Sequence, residues 1–323
     1  VLSLQEAKIF QEKQVMKKFL ISLVTIAVMV SSFYGVAEAR SKPKRYRVNH
    51  TWQQFGPIFG WAQDRINQPF ARLDGKKPTA SGSGVSIYVI DTGIGEEDCN
   101  GHGSFIGSLF TSAGLGIVRD ANVVSVKVLN CNGAGTAQDV IAGVRWVIDN
   151  ADPSSSIANM SFGGPISAPV DAAVKELALM MPVVVAAGND AINACHSSPA
   201  RVPEVITVAS MNYVNMRSSF SNWGPCVDMW APGDRVDGYD KSGADQRGSG
   251  TSFSAPLVVA SIAFVADRDN ATTMDAAQTL FNESSNMPVI DGRCTAGVIR
   301  CKVLFLREEP YDWLRNDSPS WLP

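Results

Sequence analysis

The sequence predicts an α/β fold, a three-layer sandwich with a mostly parallel central sheet flanked by helices. From residue 85 onward, short runs rich in β-branched residues alternate with longer runs of helical period, and strands joined by helices pair in parallel under cover on both faces. The 323-residue length suits one α/β domain of about 200 to 250 residues with extensions. A composition of 45% apolar and 18% charged residues excludes collagen, coiled coil and a disordered polyelectrolyte.

Residues 1–15 precede a well-formed start and receive no role in the fold. Met16 is followed by Lys17 and Lys18, an apolar stretch over 19–30, a small-residue region and Ala37-Glu38-Ala39. That is the grammar of a secretory signal peptide, residues 16–39, cleaved after Ala39. The apolar stretch is too short for the ~20 residues of a membrane-spanning helix. No stable membrane anchor is therefore expected after cleavage, and the mature chain is expected to be secreted, extracellular or periplasmic.

Residues 40–54 form a basic leader in which Lys42-Pro43-Lys44-Arg45 reads as either a processing site or a solvated stretch. Residues 1–48 hold nine of the 28 basic residues and three of the 31 acidic ones, so the rest of the chain is acidic. An acidic body argues against nucleic acid as a partner, because phosphate binding needs a basic face.

In the body, strands are expected at 85–90, 123–128, 157–160, 183–187 and 205–209 on their β-branched content. Helices are expected at 137–149, where Val140, Val144 and Val147 share one face, at 170–180 and at 257–266. Functional residues of such sheets gather at the carboxyl ends of the strands. The tail after residue 306 is rich in Pro, Trp and acidic residues and is expected to pack as an extension.

Secretion makes disulfides the expected state of the six cysteines. Cys294 and Cys301 are close enough in sequence for a local staple, which leaves Cys99, Cys131, Cys195 and Cys226 for two longer links. No Cys-x-x-Cys pair exists, so a structural zinc site is not expected.

Three phrases stand where such a sheet presents its site. Asp91-Thr92-Gly93 ends the first strand, Gly101-His102-Gly103-Ser104 opens a helical run, and Gly250-Thr251-Ser252-Phe253-Ser254-Ala255-Pro256 precedes an apolar helix. A strand-end Asp is commonly a turn former and a Ser before a helix commonly a cap, so each phrase alone is weak. Together they are specific, because the chain has three histidines: His50 lies in the leader, His196 sits beside Cys195, and His102 alone fits a general base. A serine at a helix start also lies in the positive end of the macrodipole.

The order Asp, His, Ser in these phrases resembles that of the subtilisin-like serine peptidases, with the proteinase K and aqualysin branch the most similar. The resemblance covers residues 61–265 and includes Asp98-Cys99-Asn100-Gly101-His102-Gly103, Val128-Leu129-Asn130-Cys131-Asn132-Gly133, Ala187-Gly188-Asn189 and Ser219-Phe220-Ser221-Asn222. It implies a subtilisin-like peptidase domain over 55–306 with a C-terminal extension over 307–323. It further implies a serine endopeptidase in which Ser252 attacks the peptide carbonyl, His102 moves the proton, Asp91 orients His102, and Asn189 donates to the oxyanion.

Gly133, Ala134 and Gly135 resemble the edge that pairs with an extended peptide. Ser161, Phe162 and Gly163 resemble the opposite edge and one wall of the P1 pocket, and Ala186, Ala187 and Gly188 the other wall. The resemblance implies extended peptides or unfolded proteins as substrates, read mainly through the backbone, with an apolar or aromatic P1 preference. It pairs Cys99 with Cys131 and Cys195 with Cys226; Cys294 with Cys301 rests on spacing. A monomer without a required cofactor is expected.

The chain departs from the family pattern in several places. Asp91 and His102 are eleven positions apart, where the family has about thirty with a strand between. The ten intervening residues reach at most about 33 Å, so closure is feasible with a piece of sheet missing. Phe105 replaces a second histidine, and Gly107-Ser108 replaces Ala-Gly. The stretch between Ala39 and Trp61 is shorter than the usual propeptide. Calcium is a family habit, but Met211 stands where one ligand carboxylate is expected and Asn67-Gln68-Pro69 lacks an acidic pair, so no metal is expected at either position. The short Asp91-to-His102 segment motivates an alternative, a catalytically inactive subtilisin-like binding module. An esterase of the α/β-hydrolase type would need Gly-x-Ser-x-Gly and the order Ser, Asp, His, and this chain has neither.

Overall fold

A computed structural model describes residues 60–68, 73–284, 289 and 302–308. The expected signal peptide, the basic leader, the Cys294–Cys301 pair and residues 309–323 lie outside the described residues. The central sheet has seven strands, all parallel, in the order β2-β1-β3-β4-β5-β6-β9. They are β1 (Ser86–Asp91), β2 (Asn122–Lys127), β3 (Ser156–Met160), β4 (Val183–Ala186), β5 (Ile206–Met211), β6 (Met229–Pro232) and β9 (Lys302–Val303). The five strands expected from the sequence are β1 to β5, displaced by no more than two residues at an end.

Period-2 alternation sends the β1 side chains into two cores. Ile87 and Val89 join one cluster, with Ile106 and Leu109 of helix α2 (His102–Thr111) and Val258, Val259 and Ile262 of α5 (Thr251–Asp269). Leu280 of α6 (Thr273–Glu283) packs there too. Tyr88 and Ile90 join the other cluster, with Val140, Val144 and Val147 of α3 (Ala137–Asn150) and Val174 and Leu177 of α4 (Ala168–Ala178). These are the two outer layers of the predicted sandwich. The short helix α1 (Trp61–Ile66) precedes β1. Contacts continue past residue 306: Arg268 donates to the Arg307 carbonyl at 2.8 Å and Asn67 to Glu308 Oε1 at 2.7 Å.

β1 has β2 on one side and β3 on the other, so the chain leaves the carboxyl ends of β1 and β3 in opposite directions. A crevice opens at such a switch point. Asp91 ends β1 on one side of it, and Ser161 follows β3 on the other. An antiparallel hairpin, β7 (Val236–Tyr239) with β8 (Asp245–Gly248), stands apart from the sheet.

One expectation is corrected. The helix expected to begin at 257 begins at Thr251, which brings Ser252 into its first turn and Pro256 inside it. Proline lacks the N–H that would donate to the carbonyl four residues back, that of Ser252. The Ser161 hydroxyl donates to this carbonyl at 2.8 Å instead.

Candidate active site

The shortened connection closes without the extra strand. Asp91 is fully buried at the end of β1 and its Oδ1 lies 2.7 Å from His102 Nδ1. The Thr92 N–H also donates to Asp91 Oδ1, at 2.7 Å. A short 3₁₀ turn, Gly95–Glu97, reverses the chain, and the buried Asp98 gathers the ends. Its Oδ1 accepts from Thr92 Oγ1 at 2.9 Å, Asn100 N at 3.1 Å and Gly101 N at 2.7 Å, and its Oδ2 from Ser104 N at 2.8 Å. Thr92 Oγ1 in turn accepts the Gly103 N–H at 2.9 Å. One carboxylate thus ties the residue after Asp91 to the first turn of α2, where two of its acceptors' partners are N–H groups that a helix start leaves open.

This arrangement sets the charge on both groups. Burial works against ionisation of Asp98, but the donors from Gly101, Ser104 and Thr92 outweigh it and hold its pKa below the usual carboxylate value. For His102, burial lowers the pKa, and the hydrogen bond and charge of Asp91, with the charge of Asp98, more than offset that, so the net shift is upward.

Ser252 enters from α5. Its hydroxyl donates to the Ser161 carbonyl at 2.8 Å while Ser161 Oγ donates to the Ser252 carbonyl, and Asn159 Nδ2 supports Ser161 Oγ at 2.9 Å. No hydrogen bond joins Ser252 to His102 among the described residues. Asn189 is exposed; its Oδ1 accepts from Thr251 N at 2.9 Å and Thr251 Oγ1 at 3.0 Å. With its oxygen so held, the Asn189 amide has both N–H donors left over beside the start of α5.

The expected substrate segments lie around this centre. Gly133, Ala134 and Gly135 are exposed in a loop organised by Asn130, whose Oδ1 accepts from Asn132 N and Ala134 N. A Cβ on Gly135 would stand 2.4 Å from the Val128 carbonyl oxygen, so the loop needs glycine there. Ser161 is buried, Phe162 half-buried and Gly163 exposed. Ala186 and Ala187 are buried and Gly188 half-buried, with Asn222 donating to the Ala187 carbonyl at 2.9 Å and the Gly188 N–H donating to Thr251 Oγ1 at 3.1 Å. Gly188 has φ of +102°.

Disulfides join Cys99 to Cys131 and Cys195 to Cys226. The first links the connection leading to His102 with the loop of Gly133, and Asn100 Nδ2 adds a bond to the Cys131 carbonyl at 3.0 Å.

The two positions tested for calcium do not fit it. Hard cations take oxygen ligands; Met211 offers a fully buried thioether, and the Asn67 Oδ1 is taken up by the Gln68 amide, which donates to it at 3.1 Å. Among the described residues no group of three or more His, Cys, Asp or Glu side chains is placed to hold a metal.

Sequence reasoning missed the part played by Asp98 and the Ser161 hydroxyl, and the contact between the Phe105 and Phe253 rings, whose centres are 4.5 Å apart. Pro256 was the available signal for Ser161, since a proline inside a helix leaves a carbonyl to be satisfied.

Residues 87–297 match the subtilase family. Alkaline serine exoprotease A of Vibrio alginolyticus is 36% identical over 258 residues, covering 72% of this chain and 48% of that protein. The extracellular serine proteinase of Thermus sp. strain Rt41A is 38% identical over 229 residues, 63% of this chain and 56% of that protein. The chain therefore spans about half the length of these relatives. The crystal structure of a cold adapted subtilisin-like serine proteinase superposes with a TM-score of 0.70 at 37% identity, covering 76% of this chain and 97% of that one.

Proposed function

Since the chain belongs to the subtilase family, we propose that it is a secreted serine endopeptidase working through Asp91, His102 and Ser252. The observation that carries this reading is the 2.7 Å bond between Asp91 Oδ1 and His102 Nδ1, made across a connection of ten residues at the carboxyl end of the sheet. Asp91 holds the imidazole with its Nδ1 protonated, which leaves Nε2 as the base. Ser252 Oγ gives its proton to Nε2 and bonds to the peptide carbonyl carbon; the imidazolium then returns the proton to the leaving amine. Water repeats the sequence on the acyl-enzyme. The oxyanion receives Asn189 Nδ2 and the Ser252 N–H at the positive end of α5.

An extended peptide or unfolded protein lies between Gly133, Ala134 and Gly135 on one edge and Ser161, Phe162 and Gly163 on the other. The P1 side chain enters between the latter segment and Ala186, Ala187 and Gly188. None of these residues is ionisable, which supports an apolar or aromatic P1 preference. The signal-peptide grammar of residues 16–39 and the name of the Thermus relative support secretion. We assign residues 55–306 to the peptidase domain, with no metal or cofactor required, no nucleic-acid partner and a monomeric state.

One observation favours a second reading, an inactive binding module: the Ser252 hydroxyl is bonded to Ser161 rather than to His102. Hydrolysis of unfolded casein by the oxidised chain from Arg40, beside Ser252→Ala, separates the two. Cleavage by the parent alone is expected; a folded parent with no more activity than Ser252→Ala contradicts the peptidase.

A further inference from the structure

Two aromatic rings separate His102 from the β7–β8 hairpin. Phe105 lies one turn along α2 from His102, on the same face, and Phe253 follows Ser252 on α5. The Phe253 ring centre is 5.9 Å from that of His102 and 4.5 Å from that of Phe105, with planes tilted by 49° and 55°. Phe105 is 2% exposed.

The hairpin meets both rings with glycine. A Cβ on Gly238 would stand 2.5 Å from Phe105 Cζ, and one on Gly248 would stand 2.5 Å from Phe253 Cζ. Neither glycine has the positive φ that would otherwise call for one. Their reason is close approach to the rings.

We propose that Phe253, backed by Phe105 and by Gly238 and Gly248, is a positioning residue that holds the His102 imidazole against Asp91 and keeps water from their hydrogen bond. The proposal rests on His102 being the general base. An imidazole bonded only at Nδ1 can still tilt about that bond. Phe253 supplies an edge against which it settles, and a small misplacement of a base lowers turnover steeply. The charged groups around this assembly are Asp91 and Asp98 beside His102, Lys127 bonded to the Thr92 carbonyl, and the hairpin's Asp245 and Asp237–Arg247 pair.

The test compares the parent with Phe253→Ala, Phe253→Leu and Gly248→Ala, reading the imidazole titration of His102 by NMR, kcat and KM on a peptide, and the thermal midpoint. In Phe253→Ala the imidazole titration is expected to move from the parent's, because water reaches the Asp91–His102 pair and the burial that opposes the imidazole's charge is relieved. Turnover is expected to fall about ten- to hundredfold with KM changed less than about twofold, and Phe253→Leu to restore most of it. Gly248→Ala is expected to act in the same direction by displacing the ring. A folded Phe253→Ala with an unmoved titration contradicts the proposal, as does a loss of turnover that Phe253→Leu does not relieve. The titration needs no substrate, so an inactive parent would overturn the peptidase reading while the imidazole still decides this one.

Discussion

The hydroxyl of Ser252 and the hydroxyl of Ser161 each donate to the other residue's backbone carbonyl, both at 2.8 Å. The Ser161 hydroxyl fills the place of the N–H that Pro256 cannot supply to the Ser252 carbonyl. The exchange also means that, in the proposed mechanism, Ser252 Oγ must leave the Ser161 carbonyl to reach His102, and an incoming peptide N–H is a natural replacement at that acceptor.

Ser161→Ala is therefore expected to lower stability by about 1–3 kcal/mol, the cost of a buried carbonyl and the Asn159 amide left without a partner. Pro256→Ala restores a donor to the same carbonyl. In a double-mutant cycle followed by urea unfolding, the pair is expected to cost less than the sum of the single changes; strict additivity would show that the two groups do not share the Ser252 carbonyl.

The upward pKa shift of His102 fixes a pH profile. As the proposed general base, His102 must be neutral, so the acid limb of kcat/KM is expected above the ordinary histidine value of about 6.5. Linkage runs the other way for stability: the contribution of the charged His102 is fully present below its unfolded pKa and is lost as pH rises through the folded one. Asp98→Asn removes one of the charges that raise it, so the limb is expected to move to lower pH. An unmoved limb would count against the electrostatic part played by Asp98.

Gly103→Ala is expected to damage both fold and site. Its Cβ would lie 2.1 Å from the Gly93 carbonyl oxygen, a backbone atom that cannot swing aside. Relief requires α2 to move off the end of β1, which stretches the Asp91–His102 bond. A loss of about 1–3 kcal/mol is expected, with a fall in kcat measured at a temperature where the variant is still folded.

Cys99→Ser with Cys131→Ser is expected to lower stability by about 2–4 kcal/mol and to increase proteolytic nicking between residues 92 and 101. Limited proteolysis with mass mapping reads that site directly; unchanged nicking would mean that Asp98 alone secures the connection.

The sequence was informative wherever chemistry depends on residue order. β1 to β5 could be placed from their β-branched runs because they are buried on both faces. Asp91, His102 and Ser252 stood out because two of the three histidines had no suitable surroundings. The closure between Asp91 and His102 was not legible, since it depends on backbone N–H groups that converge on Asp98 only after the chain has turned. The start of α5 was misread because Pro256 marks a boundary by local rules and is tolerated here through a serine 95 positions earlier in the sequence. β7 and β8 escaped notice because their glycines and charges serve two phenylalanine rings and a surface, and leave no apolar period to read.

The most direct test of the account is the mass of the folded protein after exposure to a serine-directed phosphonate, with the adduct mapped by peptide sequencing. One adduct on Ser252, absent in His102→Ala and after denaturation, is the predicted result. A folded, disulfide-intact chain that takes up no phosphonate at Ser252 would contradict it.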